Sequence, residues 1–168
     1  MAQGGCICGR LRYGASRPPL RVTICHCRFC QRATGSAFLV EPVFADADFT
    51  VLAGTAAVYR HISQGSGKAV DVHFCRDCGT KLFLRFERFP GAVGVYGGTF
   101  DDPDWYDRSP ETTKHIFLGV AMGDTLVPPG MNCFEAHAMT NDGEPVAPRR
   151  FDEATRIADR GSKPFTAP

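Results

Sequence analysis

Cys25-His26-Cys27-Arg28-Phe29-Cys30-Gln31-Arg32 is the stretch on which the reading of this chain turns. It carries three thiols within six residues, spaced C-x-C-x-x-C. An alternating run leads into it, with Leu20, Val22 and Ile24 apolar and Arg21 and Thr23 polar. Period-two alternation marks a half-buried strand, so the pattern predicts a strand over residues 20–24 that delivers three sulfurs into one tight turn. Three thiolates from one loop can hold a tetrahedral zinc and leave its fourth position open. Zinc sites with an open position are typically the catalytic ones.

Outward from this trio, two more cysteine pairs stand out. Cys75-Arg76-Asp77-Cys78-Gly79 has the form of a zinc knuckle. The glycine after the second cysteine lets the backbone turn with positive φ, so that amide N–H groups can point at sulfur. Cys6-Ile7-Cys8-Gly9 ends in the same way at shorter spacing. Either pair supplies two ligands where structural zinc takes four. The economical arrangement therefore joins Cys6, Cys8, Cys75 and Cys78 around one ion, which would staple the N-terminus to the middle of the chain and contribute folding free energy directly. The competing reading of Cys75 and Cys78 is a redox dithiol. That motif usually opens a helix in a βαβ setting, which this stretch lacks.

The charge of the trio sets its chemistry. A zinc ion with Cys25, Cys27 and Cys30 carries a net −1 and is a weak Lewis acid, poorly suited to activating water. A thiol suits it better as fourth ligand, because a thiolate on an electron-rich zinc keeps much of its nucleophilicity. This favours carbon–sulfur chemistry over hydrolysis. The alternative is a second, closed structural site completed by Cys133 or a histidine. His26 lies between two ligands and is expected to point away from their sulfurs, as a packing or hydrogen-bonding residue. His61, His73, His115 and His137 carry no distinguishing spacing, and Cys133 is most simply a small buried hydrophobe. Arg28 and Arg32 flank the trio; they are either ordinary surface arginines or a carboxylate clamp for an acidic thiol.

The remainder reads as scaffold. Short strand-like runs fall at residues 10–15, 20–24, 38–40, 70–74, 81–86 and 93–97, with a last one at 115–118; Pro42 ends or bends the third. Residues 49–52 and 57–61 flank Ala53-Gly54-Thr55-Ala56 as a hairpin signal. Helix is sparse: one turn over residues 31–35 ending at Gly35, and a short helix capped by Asp152 running to Ala158, with Gly161 beyond its end. The tail over residues 163–168 reads as frayed. Such a run of short strands between Gly and Pro predicts a mostly β fold of paired sheets. The two cysteine pairs each adjoin a strand, and adjacent strands of one sheet would bring them together.

At 168 residues the chain is long enough for one domain with a proper core. Nineteen Lys and Arg against eighteen Asp and Glu leave a formal charge of +1, which gives no electrostatic case for nucleic acid or an anionic membrane as partner. There is no run of eighteen apolar residues. The opening Met-Ala-Gln-Gly-Gly-Cys shows neither a basic nor an apolar leader region. The expectation is a reducing compartment, the cytoplasm, where clustered cysteines favour metal over disulfide.

Three elements together resemble the glutathione-dependent formaldehyde-activating enzyme family, which also includes centromere protein V. They are Gly5-Cys6-x-Cys8-Gly9, Cys25-His26-Cys27-x-x-Cys30-Gln31-Arg32 with Thr34-Gly35, and Phe74-Cys75-x-x-Cys78-Gly79. Asp101-Asp102-Pro103 and His115-Ile116-Phe117 are weaker echoes, and the resemblance covers residues 4–120. It implies a mostly β fold, a β-tent of antiparallel sheets held by zinc knuckles with little helix. It implies a zinc-binding domain over residues 1–122; residues 123–168, which lie beyond the resemblance, are expected to form a C-terminal extension packed on the same domain, with a flexible tail. Two zinc ions per chain follow, one structural on Cys6, Cys8, Cys75 and Cys78 and one catalytic on Cys25, Cys27 and Cys30, where the thiol of glutathione would bind. The implied activity is a zinc-dependent carbon–sulfur lyase reaction, formation of S-(hydroxymethyl)glutathione from formaldehyde and glutathione, with Arg32 or a nearby donor stabilising the developing alkoxide. The centromere member suggests the alternative, a zinc-stabilised binding module without turnover.

Overall fold

The computed structural model describes residues 1–157 and shows a mostly β protein. In chain order the strands are β1 (Ala2–Gly5), β2 (Arg12–Ala15), β3 (Arg21–Cys25), β4 (Leu39–Ala45), β5 (Phe49–Ala53), β6 (Ala57–Ile62), β7 (Ala69–Phe74), β8 (Lys81–Phe86), β9 (Ala92–Val95), β10 (Thr113–Ile116), β11 (Leu126–Val127), β12 (Asn132–Cys133) and β13 (Thr155–Arg156). The one α-helix among the described residues is α1 (Arg28–Thr34). The chain divides into two compact units, one of residues 1–22 and 40–108, the other of residues 23–39 and 109 onward.

In the first unit, β1, β2 and β5 form an antiparallel sheet with β2 in the centre. A second antiparallel run orders β4, β9, β8, β7 and β6. Aromatic rings join the two sheets. Tyr13 on β2 stacks on Phe49 of β5 at 5.4 Å between centroids, and Phe49 meets Phe83 of β8 at 4.8 Å. Phe100 packs its edge against Tyr13. Burying several such rings in one place dominates the energetics of a small core.

The second unit is built around the end of β3, helix α1 and β10. Strand β10 lies between β3 and β12, and its pairing with β12 is parallel, Lys114 opposite Asn132 and His115 opposite Cys133. Leu118, Val127, Met131, Cys133 and Ile157 make a buried cluster that includes Cys133 of β12.

Three local expectations fail, and a fourth is narrowed. The predicted hairpin over residues 49–61 does not form: β5 pairs with β2 and β6 pairs with β7, in different sheets. The turn residues at 53–56 do redirect the chain, but Phe49 and the ring of Tyr13 draw β5 to another partner. Pro42 does not end its strand: β4 runs through it, and the ladder with β9 starts at Val43, so the missing N–H costs no bond to β9. The helix expected from Asp152 is absent over the described residues, where β13 pairs with β11 instead. Its end at Ala158, Gly161 and the tail over 163–168 lie outside the described residues. Finally, residues 115–118 are not the last strand, because β11, β12 and β13 follow.

Candidate metal centres

The first centre belongs to the first unit. Cys6 and Cys8 lie in the turn after β1, and Cys75 and Cys78 in the turn between β7 and β8. These strands sit in different sheets, so the meeting is made by two turns rather than by adjacent strands of one sheet. All four sulfurs lie within 4.8 Å of one another, with Cys6 and Cys8 Sγ 3.4 Å apart and Cys8 and Cys75 Sγ 3.7 Å apart.

The two turns share a hydrogen-bond pattern. Cys6 N–H donates to Leu11 O and Cys75 N–H to Thr80 O, at 3.0 and 2.9 Å. Gly9 N–H closes on Cys6 O and Gly79 N–H on Cys75 O, with φ +75° and +73° at the two glycines. Donors are aimed at sulfur: Leu11 N–H reaches Cys6 Sγ at 3.3 Å, and the Thr80 hydroxyl lies 3.2 Å from Cys78 Sγ. The Thr80 hydroxyl, its amide and the Cys8 amide pull the Cys78 thiol down to about 5. This is the surrounding a cation-bound thiolate requires. Arg10 pairs with Asp77 at 3.3 Å across the two turns.

The second centre lies wholly in the second unit. Cys25 ends β3, Cys27 is the N-cap of α1, and Cys30 sits in the first turn of that helix. The helix therefore starts at Arg28, inside the motif, and not at residue 31. Cysteine is not among the usual N-cap residues, yet Cys27 Sγ accepts the Cys30 N–H at 3.4 Å. Gly35 closes the other end with φ +68°.

The three sulfurs lie within 4.8 Å of one another, and no fourth Cys, His, Asp or Glu of the described residues joins them. Crowding splits their acidities. Hydrogen bonds from the Cys25 and Cys30 thiols hold Cys27 down to about 3, while those with Cys25 and Cys27 push Cys30 well above its ordinary value. Three thiolates at this separation need a cation between them, so the donor set suits a metal ion. Cys133, on β12, is buried in the cluster with Leu118, Val127, Met131 and Ile157, and its thiol donates to Met131 O at 3.4 Å, outside the trio.

His26, between Cys25 and Cys27, is fully buried. Its Nε2 lies 3.0 Å from His115 Nδ1, and the two rings stack at 5.3 Å. Burial lowers both imidazoles to about 4, so both are neutral near pH 7. His26 Nδ1 is buried with no hydrogen-bond partner among the described residues. The tautomer that avoids an orphaned buried N–H is the one in which His26 Nε2–H donates to His115 Nδ1. This pairing leaves no trace in sequence spacing, since the partners are 89 residues apart.

Arg28 and Arg32 are both exposed and lie one helical turn apart on α1. The Arg28 guanidinium donates to the side-chain oxygen of Gln31. Gln31 is in the opening motif, but nothing in its residue type announced the role its amide takes here.

Comparison with known proteins places these motifs. The family model described as "Glutathione-dependent formaldehyde-activating enzyme" matches residues 1–119. A protein of Halomonas elongata, named "Putative glutathione-dependent formaldehyde-activating enzyme", is 26% identical over 138 residues, covering 71% of this chain and 88% of the relative. A crystal structure of a Rhodobacter sphaeroides protein superposes with a TM-score of 0.48 at 20% identity, over 59% of this chain and 87% of that one. A likeness of that degree carries no argument about function.

Proposed function

The chain belongs to the glutathione-dependent formaldehyde-activating enzyme family, and from that premise we propose that it is a zinc-dependent enzyme of carbon–sulfur lyase type, joining glutathione or a similar acidic thiol to formaldehyde or another small aldehyde. Cys6, Cys8, Cys75 and Cys78 would hold a structural zinc, and Cys25, Cys27 and Cys30 a second one, in a protein of the reducing cytoplasm.

The observation that supports this reading is the count of donors. Four sulfurs meet in the first centre and three in the second. A closed structural site uses four ligands, whereas a working site keeps a position for its substrate. A zinc ion on the trio would supply that position and hold an incoming thiol as its thiolate. The chain's own residues do the rest. Cys25, Cys27 and Cys30 set the geometry. The exposed Arg28 and Arg32 would grip carboxylates of an acidic thiol with their planar guanidinium groups. In the reaction the sulfur adds to the carbonyl carbon, the C=O π pair moves to oxygen, and that oxygen takes up the proton given up by the thiol. Arg32 would donate to the oxygen as its charge develops. The uncatalysed addition is easy, so little barrier lowering is required of the site.

Cobalt substitution tests the proposal. Glutathione titrated into the protein carrying cobalt at both centres should change the absorption of one centre only, and formaldehyde should then yield S-(hydroxymethyl)glutathione faster than in buffer. A spectrum indifferent to thiols would mean that the trio is closed. A spectral response without turnover would instead indicate a binding module.

A further inference from the structure

Gln31 is 6% exposed, and every polar atom of its side chain is engaged. Nε2 donates to His26 O at 2.6 Å and to Val120 O at 3.0 Å, while the side-chain oxygen accepts from the Arg28 guanidinium. His26 is the residue between two of the trio's cysteines. Its N–H donates to Ile116 O at 3.0 Å, so both peptide groups around it are anchored, one by Ile116 and one by Gln31. Ile116 and Val120 flank a single short segment, which turns back at Phe117 with φ +61°. A bulky residue with positive φ is uncommon and strained. The segment thus presents two carbonyls to the motif from one tight turn.

We propose that Gln31 is the positioning residue of the trio. Its amide locks the Cys25-His26-Cys27 backbone to the 116–120 segment, and so sets the metal affinity of the three sulfurs. Through the same amide it aims Arg28, which lies between Cys27 and Cys30, toward the thiol-binding side. Helix α1 by itself has no need of glutamine at this place; any good helix former would serve its backbone. The engagement of both polar atoms, in three hydrogen bonds to the loop, the segment and Arg28, is what sets Gln31 apart. The inference rests on the reading of the trio as a zinc site that accepts a thiol.

Gln31→Met keeps length and volume but removes both donors and the acceptor; Gln31→Glu keeps the shape and sets a carboxylate oxygen against two carbonyls. Zinc affinities of the two centres should be measured separately by chelator competition on the full chain. Losing a group that orients a metal ligand lowers affinity by about 10–100-fold. That loss is expected at the trio in both variants, with the four-cysteine centre unchanged. At saturating zinc, Gln31→Met should raise KM for glutathione while leaving kcat, and KM for a thiol without carboxylates, near wild type. Wild-type affinity at the trio in Gln31→Met would overturn the proposal. So would a parallel fall at both centres together with the melting temperature, which marks a merely structural residue. A wild-type protein that binds one zinc per chain would instead overturn the reading of the trio, and the inference with it.

Discussion

His26 and His115 form a buried imidazole pair whose protonation is linked to the stability of the fold. Burial depresses both to about 4, below the ordinary value of 6.5. A group whose folded value is depressed contributes stability that is present above its unfolded value and lost as pH falls through the folded one. The fold should therefore weaken from about pH 6.5 down to about pH 4. The size is on the order of 2–3 kcal/mol for the first ring protonated. His115→Gln removes one titrating ring, so its stability, followed by urea denaturation across this range, should fall less steeply than that of the wild type; parallel curves would refute the assignment. Cys133 gives a second test at this scale. Its thiol lies outside the trio, so Cys133→Ser should retain both zinc ions where Cys27→Ser loses one. Zinc release from Cys133→Ser would restore the closed-site alternative.

Among the elements, the paired turns decide how sulfurs are presented. Each runs from a cysteine whose N–H is bonded five residues on and ends in a glycine with positive φ. At Gly79 an added Cβ would meet no atom within 4 Å, so Gly79→Ala tests backbone strain alone. An L residue held in the left-handed region costs about 1 kcal/mol. Thermal unfolding of zinc-loaded Gly79→Ala should show a loss of that size with zinc content intact. No loss would mean that the turn relaxes and that glycine there has another use. Helix α1 shows the same economy: Cys27 is at once a candidate ligand and the cap of the helix that carries Cys30. The motif and the helix start are one feature, which is why a helix sought only after Cys30 is placed three residues late.

For the whole molecule, the two centres should differ in what their loss does. Cys8 and Cys75 are 67 residues apart, whereas the trio spans six residues of one loop and helix. Closing the longer loop constrains the unfolded chain more, and binding energy at a site absent from the unfolded state is folding energy. Cys78→Ser should therefore lose one zinc per chain and much of the stability. Cys27→Ser should stay folded and lose the other zinc and any thiol-dependent activity. Equal melting temperatures for the two variants would contradict this division of labour.

Sequence alone was enough for the cysteine motifs, the grouping of their residues into a four and a three, the family resemblance and the mostly β class. Those signals are local: a knuckle is written in five consecutive residues, and a strand in alternation over four to eight. Strands β7 and β8 were legible for this reason, with the second at its observed limits of Lys81–Phe86. What the tertiary structure alone decided concerns partners distant in sequence. It gave β5 to β2 and β6 to β7, carried β4 through Pro42, and set His115 against His26 and Val120 against Gln31. A turn signal says that the chain bends, and a buried amide says that it needs partners. Which strand or carbonyl meets them is fixed by ring packing and hydrogen-bond completion across tens of residues, and no window of local sequence contains that information.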